Sequence, residues 1–374
     1  MPNAVIVAYA RSPFTPAGKG ELAKMRPDDL LAVVLKGLFA RQPLNMADIE
    51  DVLVGCAFPE GEQGLNIARN VSFLSGIPLA AGGATINRYC GSSMETIHMA
   101  AGKIACGAGE LFVCAGVESM SRIPMGGFNP SPNPDLYEMM ASAYMPMGLT
   151  AEQVAAKHQI DRKTQEEFAL ASHQKAAAAE LSPEIIPVPI RGGVAEKDGC
   201  IRLDPSLEKM AQLTPAFDAN GTVTAATSSP MTDGAVAVIV ASEDYAKKHN
   251  LPILARIKSF AVSGIAPEIM GLGPVEATHK ALARAGLTLA DMDIIELNEA
   301  FAAQALGVIK ELNIDTGKLN LDGGAIALGH PLGASGGRIT GKAAQLLAKH
   351  KKKYALAAMC IGGGQGIATI LERA

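Results

Sequence analysis

Cys90 is the cysteine of this chain whose surroundings most favour chemistry. It lies in the segment Asn87-Arg-Tyr-Cys-Gly-Ser-Ser, and residues 94–104 then carry apolar side chains at helical spacing. A cysteine at the start of a helix faces unpaired N–H groups and the positive end of the helix dipole, which stabilise a thiolate. The sequence therefore predicts a nucleophilic Cys90, although a free cysteine is more often a small buried apolar residue. That second interpretation is kept for Cys56, Cys106, Cys114 and Cys200.

A nucleophilic thiol needs a base, and His330 is the best placed of the histidines. It lies in Gly329-His-Pro-Leu-Gly-Ala-Ser-Gly-Gly, a glycine-rich turn before a helical stretch, where backbone and imidazole can come close to a ligand. His98 falls on the apolar face of the helix after Cys90 and is predicted to be a hydrogen-bonded core residue. The others lie in polar helical surroundings and are predicted to be solvated: His158, His173, His249, His279 and His350.

Two strand ends carry the remaining candidates. Asn298-Glu-Ala-Phe-Ala follows one apolar run, and its two polar residues are costly to bury unless they are hydrogen-bonded or functional. Cys360-Ile-Gly-Gly-Gly-Gln-Gly ends another apolar run in glycines whose N–H groups can face an anion. A dinucleotide-binding loop fits poorly, because its glycines should open a helix, whereas residues 367–374 have the pattern of a strand.

The elements that must position these residues follow from the alternation of apolar runs and helical stretches. Strands are predicted at 4–10, 52–58, 111–116, 235–240, 293–298 and 354–362, and helices at 28–41, 92–106, 274–286, 301–311 and 334–349. This alternation predicts an α/β protein with largely buried sheets.

The two ends of the chain also repeat each other. Cys90-Gly-Ser matches Gly333-Ala-Ser 243 positions later, and Cys114-Ala-Gly matches Cys360-Ile-Gly 246 positions later. Matches in the same order at nearly the same offset predict two halves of similar fold.

The middle of the chain differs in composition from both ends. Residues 119–220 begin with a run rich in Met, Pro and Gly, are helical at 150–180 and are then irregular. A long insertion in a compact fold usually covers a binding site. The alternative is an insertion that has no part in binding. We expect a first half formed by 1–118 and 221–249, an inserted loop domain at 119–220 and a second half at 250–374.

Composition excludes several classes of protein. The 374 residues are 48% hydrophobic and 19% charged, which rules out disorder over most of the length. A formal net charge of −4, the absence of Trp and an aromatic content of 4% argue against a nucleic-acid partner. No apolar run approaches the ~20 residues of a membrane span, and the N-terminus has the pattern of a buried strand and not of a signal peptide. Scattered cysteines without a CxxC pair predict no metal site and reduced thiols, as in a cytoplasmic protein.

Taken together, the segments that begin at Asn87, Asn298, Gly329 and Cys360 resemble the motifs of the thiolase family in order and spacing. Arg11-Ser-Pro-Phe matches as well, and the resemblance covers essentially the whole chain. The family implies a five-layered α/β/α/β/α fold, built from two duplicated halves, with an inserted loop domain that binds coenzyme A.

The resemblance also implies a role for each candidate. Cys90 would be the nucleophile that attacks the 3-keto carbonyl of a 3-ketoacyl-CoA, and His330 would take its proton. Cys360 would protonate the acetyl-CoA enolate that leaves. His330 and a water held by Asn298 would form one oxyanion hole, and the N–H groups of Cys90 and Gly362 would form a second.

Coenzyme A is implied as co-substrate, with no permanently bound cofactor and no metal. The positions that match family contacts to CoA are Arg202, Phe217, Ala225, Ser229, Met147, Met270 and Phe301. The apolar members of this set would equally suit an ordinary core. The implied partners are CoA, acyl-CoA thioesters, further copies in a homodimer or homotetramer, and a hydratase/dehydrogenase subunit with which degradative members can associate.

Two departures from the family pattern bear on the substrate. Pro146 precedes Met147, where short-chain acetyltransferases of the family tend to have His, and Thr227 replaces a usual Asn. The Cys90 and Cys360 motifs resemble the bacterial degradative members more than the biosynthetic ones. We therefore expect an enzyme that cleaves 3-ketoacyl-CoA in fatty-acid β-oxidation. The alternatives are an acetoacetyl-CoA thiolase that runs the Claisen condensation and, more remotely, an inactive CoA-ester-binding subunit.

Overall fold

The computed structural model describes residues 2–42 and 44–374. Its strands are β1 (Ala4–Arg11), β2 (Thr15–Pro16), β3 (Asp51–Gly55), β4 (Gly82–Ile86), β5 (Leu111–Ser119), β6 (Val188–Ile190), β7 (Gly193–Ala195), β8 (Thr232–Ser242), β9 (Ala255–Gly264), β10 (Ile294–Leu297), β11 (Tyr354–Ile361) and β12 (Gln365–Glu372). Its α-helices are α1 (Pro27–Arg41), α2 (Ile67–Ser75), α3 (Ser92–Ala105), α4 (Pro134–Met139), α5 (Met147–His158), α6 (Arg162–Ala178), α7 (Leu207–Ala211), α8 (Glu243–Lys248), α9 (Gly273–Ala285), α10 (Ala302–Leu312), α11 (Ala325–Leu328) and α12 (Leu332–His350).

The main sheet has a mirrored strand order that reflects two similar halves. One half runs β4-β3-β5-β8-β1 and the other runs β10-β11-β12-β9, and the two meet where β1 pairs with β9. In each half a parallel pair, β3 with β5 or β10 with β11, is followed by two antiparallel neighbours. The predicted duplication is therefore confirmed. In the repeat, β3 corresponds to β10 and β5 corresponds to β11.

Apolar packing arranges these elements in five layers. Helices α1 and α2 cover the outer face of the first half-sheet, and α9 and α10 cover the outer face of the second. Helices α3 and α12 lie between the half-sheets and pack against both. Because α12 is enclosed on nearly every side, its first turns consist of small residues, Gly333 to Gly337, all of them buried. The predicted α/β/α/β/α class is confirmed.

The sequence located most elements within a few residues and missed others. Strands β4 and β9 were not predicted, because β4 is short and glycine-rich and β9 mixes buried, half-buried and exposed positions without a regular alternation along most of its length. The helical stretch predicted at 150–180 is two helices, α5 and α6. Gln159 adopts a left-handed backbone, and Asp161 starts α6 by accepting a hydrogen bond from the Thr164 N–H at 2.7 Å.

Buried ion pairs fix the 119–220 segment to the sheet. Arg11, at the end of β1, is fully buried and bonds Glu184 at 2.6 Å and both carboxylate oxygens of Asp198 at 2.6 and 2.7 Å. Lys342 of α12 pairs with the other oxygen of Glu184. Removal of one partner from such a buried pair typically costs ~3–5 kcal/mol. The segment is thus attached to both halves, and its predicted boundaries stay a prediction.

Among the helices of residues 2–42 and 44–374, none has both the length and the apolar character needed to cross a membrane.

Candidate active site

One cavity of about 550 Å³ collects most of the predicted site. Its lining includes Cys90, His330, Cys360, Gly362, Met147, Phe217, Ser229, Met270 and Phe301. Asn298 lies behind this wall and faces His330, with its side-chain nitrogen 3.4 Å from the imidazole Nε2. Arg202 and Ala225 are exposed and do not line the cavity. The structure therefore gathers residues from both halves and from the inserted segment around one space.

Cys90 lies in a tight turn directly before α3. Tyr89 adopts a positive φ of 43°, and the Asn87 side-chain oxygen accepts a hydrogen bond from the Tyr89 N–H at 2.9 Å. The Ser92 hydroxyl closes the turn, since it accepts from the Arg88 N–H at 2.9 Å and donates to the Tyr89 carbonyl at 2.6 Å. This local network presents the half-buried Cys90 thiol to the cavity.

Burial dominates the acidity of the Cys90 thiol. It raises the pKa of Cys90 to about 11, although the N–H groups of Gly362 and of Cys90 itself act in the opposite direction. The N–H donors at this turn therefore favour the thiolate, but burial outweighs them. At neutral pH the group is a thiol, and it needs a base to take its proton.

His330 lines the same cavity and has the tautomer and charge state that such a base requires. Its Nδ1 lies 2.6 Å from the Ser335 hydroxyl, which itself donates to the Pro331 carbonyl at 2.9 Å. The hydroxyl must then accept a hydrogen bond from Nδ1–H, and this network assigns the lone pair to Nε2. Burial, helped by the positive charge of Arg338, lowers the pKa of His330 to about 3, so the imidazole is neutral.

Asn298 and Glu299 are both buried, as their position at a strand end predicts, but their surroundings differ. The Glu299 carboxylate accepts hydrogen bonds from Ser172 at 2.7 Å, Asn320 at 2.7 Å and the Ile326 N–H at 3.2 Å. The Asn298 side-chain oxygen has no hydrogen-bond partner among the described residues. Glu299 therefore stabilises the fold around the site, whereas Asn298 keeps a free acceptor beside His330.

Cys360 lies one residue before the end of β11 and is 1% exposed. Burial, and then its proximity to Cys90, raises its pKa well above the ordinary thiol value. The chain leaves the strand through Gly363 and Gly364, whose φ angles are 77° and 80°. A Cβ at Gly364 would lie 2.2 Å from the Ile265 carbonyl oxygen, so this exit requires glycine.

The proposed CoA positions divide into two groups. Phe217 and Phe301 pack edge to face with ring centroids 5.8 Å apart. The Ser229 hydroxyl already donates to the Ala300 carbonyl at 3.0 Å, which leaves its oxygen as an acceptor toward the cavity. Arg202 instead stands outside, where its backbone N–H donates to the His173 imidazole at 3.2 Å.

Two sets of residues differ from the sequence-based expectation. His173 is 3% exposed and is not solvated, because α6 turns it inward to accept from Arg202. His158 is half-buried beside Glu311, at 3.1 Å. Cys106 is exposed at the end of α3, and Cys200 is half-buried, so neither is the buried apolar residue that was expected.

Several lining residues were not predicted individually. They are Phe58, Tyr89, Met120, Met125, Tyr144, Met145, Met231 and Leu332. The Met-rich composition near residue 120 was the available signal for much of this wall. Phe58 and Tyr89, whose ring centroids are 6.1 Å apart, come from turns with no such pattern.

Comparison with known proteins agrees with this geometry. The family model of the thiolase N-terminal domain matches residues 4–244, and that of the thiolase C-terminal domain matches residues 251–373. The 3-ketoacyl-CoA thiolases of Bacillus subtilis and Shewanella loihica are 44% and 49% identical, each over the full length of both chains.

Solved structures give the same result. The crystal structure of human mitochondrial 3-ketoacyl-CoA thiolase matches with a TM-score of 0.91 and 39% identity, over 100% of this chain and 99% of that one. A second structure of the human enzyme, in complex with CoA, matches with a TM-score of 0.92 and 38% identity, over 100% and 98% of the two chains. Since both family models and full-length relatives match, the chain belongs to the thiolase family.

Proposed function

We propose that the protein cleaves 3-ketoacyl-CoA with CoA, giving acetyl-CoA and an acyl-CoA two carbons shorter, as a step of fatty-acid β-oxidation. The observation that carries this proposal is that Cys90, His330 and Cys360 line one cavity, with Asn298 hydrogen-bonded to His330. The names of the full-length relatives support it. The acetoacetyl-CoA alternative is not favoured by those names.

In the first step, the Cys90 sulfur attacks the 3-keto carbonyl and its proton passes to Nε2 of His330. The neutral imidazole with a lone pair on Nε2 supports this role, because it can accept the proton without first losing one. The tetrahedral intermediate then collapses, and the Cα–Cβ bond breaks. The electron pair leaves on the enolate of acetyl-CoA, and the acyl group stays on Cys90.

Cys360 supplies the proton that the enolate needs. Burial keeps its thiol protonated at neutral pH, which suits a group that must hold a proton until a carbanion forms beside it. In the second step the CoA thiol gives its proton to the Cys360 thiolate and attacks the acyl-cysteine. Cys90 leaves as the thiol by recovering its proton from His330, so every proton returns to its starting place.

Two groups of donors serve the developing oxyanions. The N–H groups of Gly362 and Cys90 both interact with the Cys90 sulfur, and they are therefore close to a carbonyl bonded to that sulfur. His330, once protonated, and a water held by the Asn298 amide donate hydrogen bonds to the other developing oxyanion. A donor of this kind typically contributes ~3–4 kcal/mol to transition-state stabilisation.

CoA is the co-substrate in this proposal, with no permanently bound cofactor. Met147, Phe217, Ser229, Met270 and Phe301 would contact its pantetheine and thioester end, since they line the cavity. Arg202 and Ala225 would contact the adenine and phosphate end outside it, where both are exposed. The human relative whose structure was determined in complex with CoA supports CoA as the co-substrate.

We further propose a cytoplasmic homo-oligomer that can join a hydratase/dehydrogenase subunit. Strand β4 pairs with β3 on one side and, within residues 2–42 and 44–374, has no strand on its other side. Exposed apolar side chains accompany this edge, Leu65 at 92% and Leu79 at 76% exposure. An unprotected strand edge with apolar neighbours is suited to pairing with a second copy.

Steady-state thiolysis with CoA tests the proposal. The loss of 3-ketoacyl-CoA is followed with acetoacetyl-CoA and with a substrate of about ten carbons, and Cys90→Ala is the control. A preference for the longer substrate is expected. Activity on acetoacetyl-CoA alone would move the protein to the acetyltransferase alternative, and wild-type rates equal to those of Cys90→Ala would leave the binding-subunit alternative.

A further inference from the structure

Glu118 is a fully buried carboxylate near the end of β5 that the mechanism above does not use. One of its oxygens accepts hydrogen bonds from the N–H groups of Ala57 at 2.8 Å and Gly333 at 2.9 Å. The other accepts from the Gln63 side chain at 2.7 Å and from the Phe58 N–H at 3.3 Å. All these partners are donors, which favours the ionised, acceptor-only form of the side chain and opposes the rise that burial causes in the pKa of Glu118.

The partners of Glu118 come from separate parts of the chain. Ala57 and Phe58 follow β3 in the first half, whereas Gly333 lies in the first turn of α12 in the second half. Gln63 completes the set, because its side-chain oxygen accepts from the Ser119 N–H at 2.7 Å and its nitrogen donates to the Phe58 carbonyl at 2.8 Å. A single carboxylate therefore holds three segments together.

Two of these segments reach the cavity. Phe58 lines it and packs against Tyr89, the residue before Cys90. Leu332 also lines it, and it lies between His330 and Gly333. The nucleophile and the base are thus each connected to Glu118 through two or three residues.

The contact between β5 and α12 leaves no room for adjustment. A Cβ on Gly333 would lie 2.6 Å from the Val117 carbonyl oxygen, and one on Gly116 would lie 2.2 Å from the Gly333 carbonyl oxygen. Because the backbones touch, the hydrogen bond from Gly333 to Glu118 sets where α12 begins. The position of the His330 turn follows from that start.

We propose that Glu118 is a positioning residue that sets the distance between the Cys90 turn and the His330 turn. The inference rests on the proposed function, since it assigns Cys90 and His330 as the reacting pair. The wall formed by Met147, Phe217 and Ser229 has no hydrogen bond to Glu118. Loss of the carboxylate should therefore affect the chemical steps and leave CoA binding intact.

Glu118→Gln tests this with a side chain of the same size. Its NH2 group would face N–H donors, so at least one segment must move, and a shift of about 1 Å in a reacting group can cost ~100-fold in rate. We expect kcat for thiolysis to fall ~100-fold while KM for CoA changes less than about threefold. Glu118→Asp, which keeps the charge on a shorter side chain, should recover part of this loss.

Glu243→Gln is the matched control. Glu243 is also buried and accepts hydrogen bonds from Arg256 at 2.7 and 2.9 Å and from Asn3 at 2.9 Å. It lies at the far end of β8 from Thr232, whose hydroxyl accepts from the His330 N–H at 3.0 Å. The separation is about 36 Å along the strand. This variant should lose thermal stability to a similar degree but keep wild-type kcat.

The outcomes separate the two proposals. A wild-type kcat in Glu118→Gln, or a joint change of kcat and KM that Glu243→Gln reproduces, would overturn the positioning role. Absence of thiolysis in the wild-type protein would instead contradict the proposed function. If Glu118→Gln does not fold, Gln63→Leu removes one donor and keeps the carboxylate. It should lower kcat about tenfold with KM unchanged, and an unchanged kcat would likewise overturn the role.

Discussion

The Cys90 turn and the Cys360 strand end contain the same reactive atom in different backbone settings. Cys90 is half-buried at the start of a helix, where nearby N–H groups face its sulfur. Cys360 is 1% exposed within a strand, and its own backbone pairs with Gly366 of β12. The difference teaches that a helix start gives a sulfur both access to the cavity and N–H donors, whereas a position near the end of a buried strand encloses the sulfur more fully and raises its pKa further.

The internal repeat sharpens this comparison. The pseudo-symmetric counterpart of Cys360 is Cys114, which is also buried in a strand and also has a pKa raised by burial. The Cys114 thiol, however, donates to the Thr96 carbonyl of α3 at 3.4 Å and does not line the cavity. Cys360 lies next to the glycine exit of its strand. The point at which the strand ends therefore decides whether one of two otherwise similar thiols reaches the cavity.

The largest effect is expected from removal of Cys90, the proposed nucleophile. Cys90→Ala leaves no atom to carry the acyl group, so kcat for thiolysis should fall by roughly 10⁶-fold, as for other covalent catalysts. The same variant should also fail to exchange acyl groups between acyl-CoA and labelled CoA. Measurable exchange in Cys90→Ala would mean that another residue carries the acyl group.

Cys360→Ala should slow carbon–carbon cleavage more than it slows acyl transfer to Cys90. General acid catalysis contributes ~10²–10⁴-fold, so carbon–carbon cleavage should slow by that amount. Cys90 can still accept an acyl group, and transfer from acyl-CoA to Cys90, measured by mass spectrometry of the intact protein, should slow much less, because a CoA thiolate leaves more easily than a carbanion and depends less on a proton from Cys360. Cys114→Ala is the matched control, expected to keep wild-type turnover. Equal loss of both half-reactions in Cys360→Ala would contradict the division of roles.

The pH dependence of alkylation tests the environment of Cys90 directly. With a pKa of about 11, the thiolate fraction and the iodoacetamide rate should rise about tenfold per pH unit between pH 7 and pH 10. The measurement belongs in a Cys106→Ser background, because Cys106 is exposed. A rate that levels off near pH 8 would show that the turn stabilises the thiolate after all.

The sequence predicted the duplicated scaffold well because buried strands and amphipathic helices leave regular patterns. It also located Cys90, His330, Asn298 and Cys360, since each lies in a distinctive turn or strand end. The rise that burial causes in the pKa of Cys90 was not predicted. Local sequence indicates the helix start, but desolvation comes from residues distant in the chain. The inward turn of His173 and the connection through Glu118 were missed for the same reason.

The free energy of unfolding at low pH should depend on three histidines that are buried in the folded protein. Burial lowers the pKa of His98 to about 3, of His173 to about 4 and of His330 to about 3. Below the unfolded value near ~6.5 the unfolded chain binds protons that the folded chain does not, so stability falls with decreasing pH. Each histidine should contribute about 1.4 kcal/mol per pH unit between pH 6.5 and pH 4.

Urea unfolding at pH 7.5, 6 and 5 measures the slope of the unfolding free energy against pH. His98→Gln should reduce the slope by about 1.4 kcal/mol per pH unit below pH 6.5, because the hydrogen bond to Thr369 at 2.7 Å can be kept without a group that titrates. His279→Gln, on the exposed side of α9, should leave it unchanged. An unaltered slope in His98→Gln would mean that His98 titrates as it does in water.

The smallest effects should distinguish two neighbouring glycines at the Cys360 strand end. Gly364→Ala requires a left-handed backbone that costs ~1–2 kcal/mol for a residue with a Cβ, and that Cβ would also meet the Ile265 carbonyl oxygen. Gly362→Ala meets nothing closer than the Met147 sulfur at 3.5 Å. We therefore expect Gly364→Ala to lower the midpoint of thermal unfolding, whereas Gly362→Ala should fold normally and lose part of its thiolysis activity, because its methyl group would project toward Met147 in the cavity. Equal melting points for the two variants would contradict the strain assigned to Gly364, and full activity in Gly362→Ala would show that the cavity tolerates a methyl group at this position.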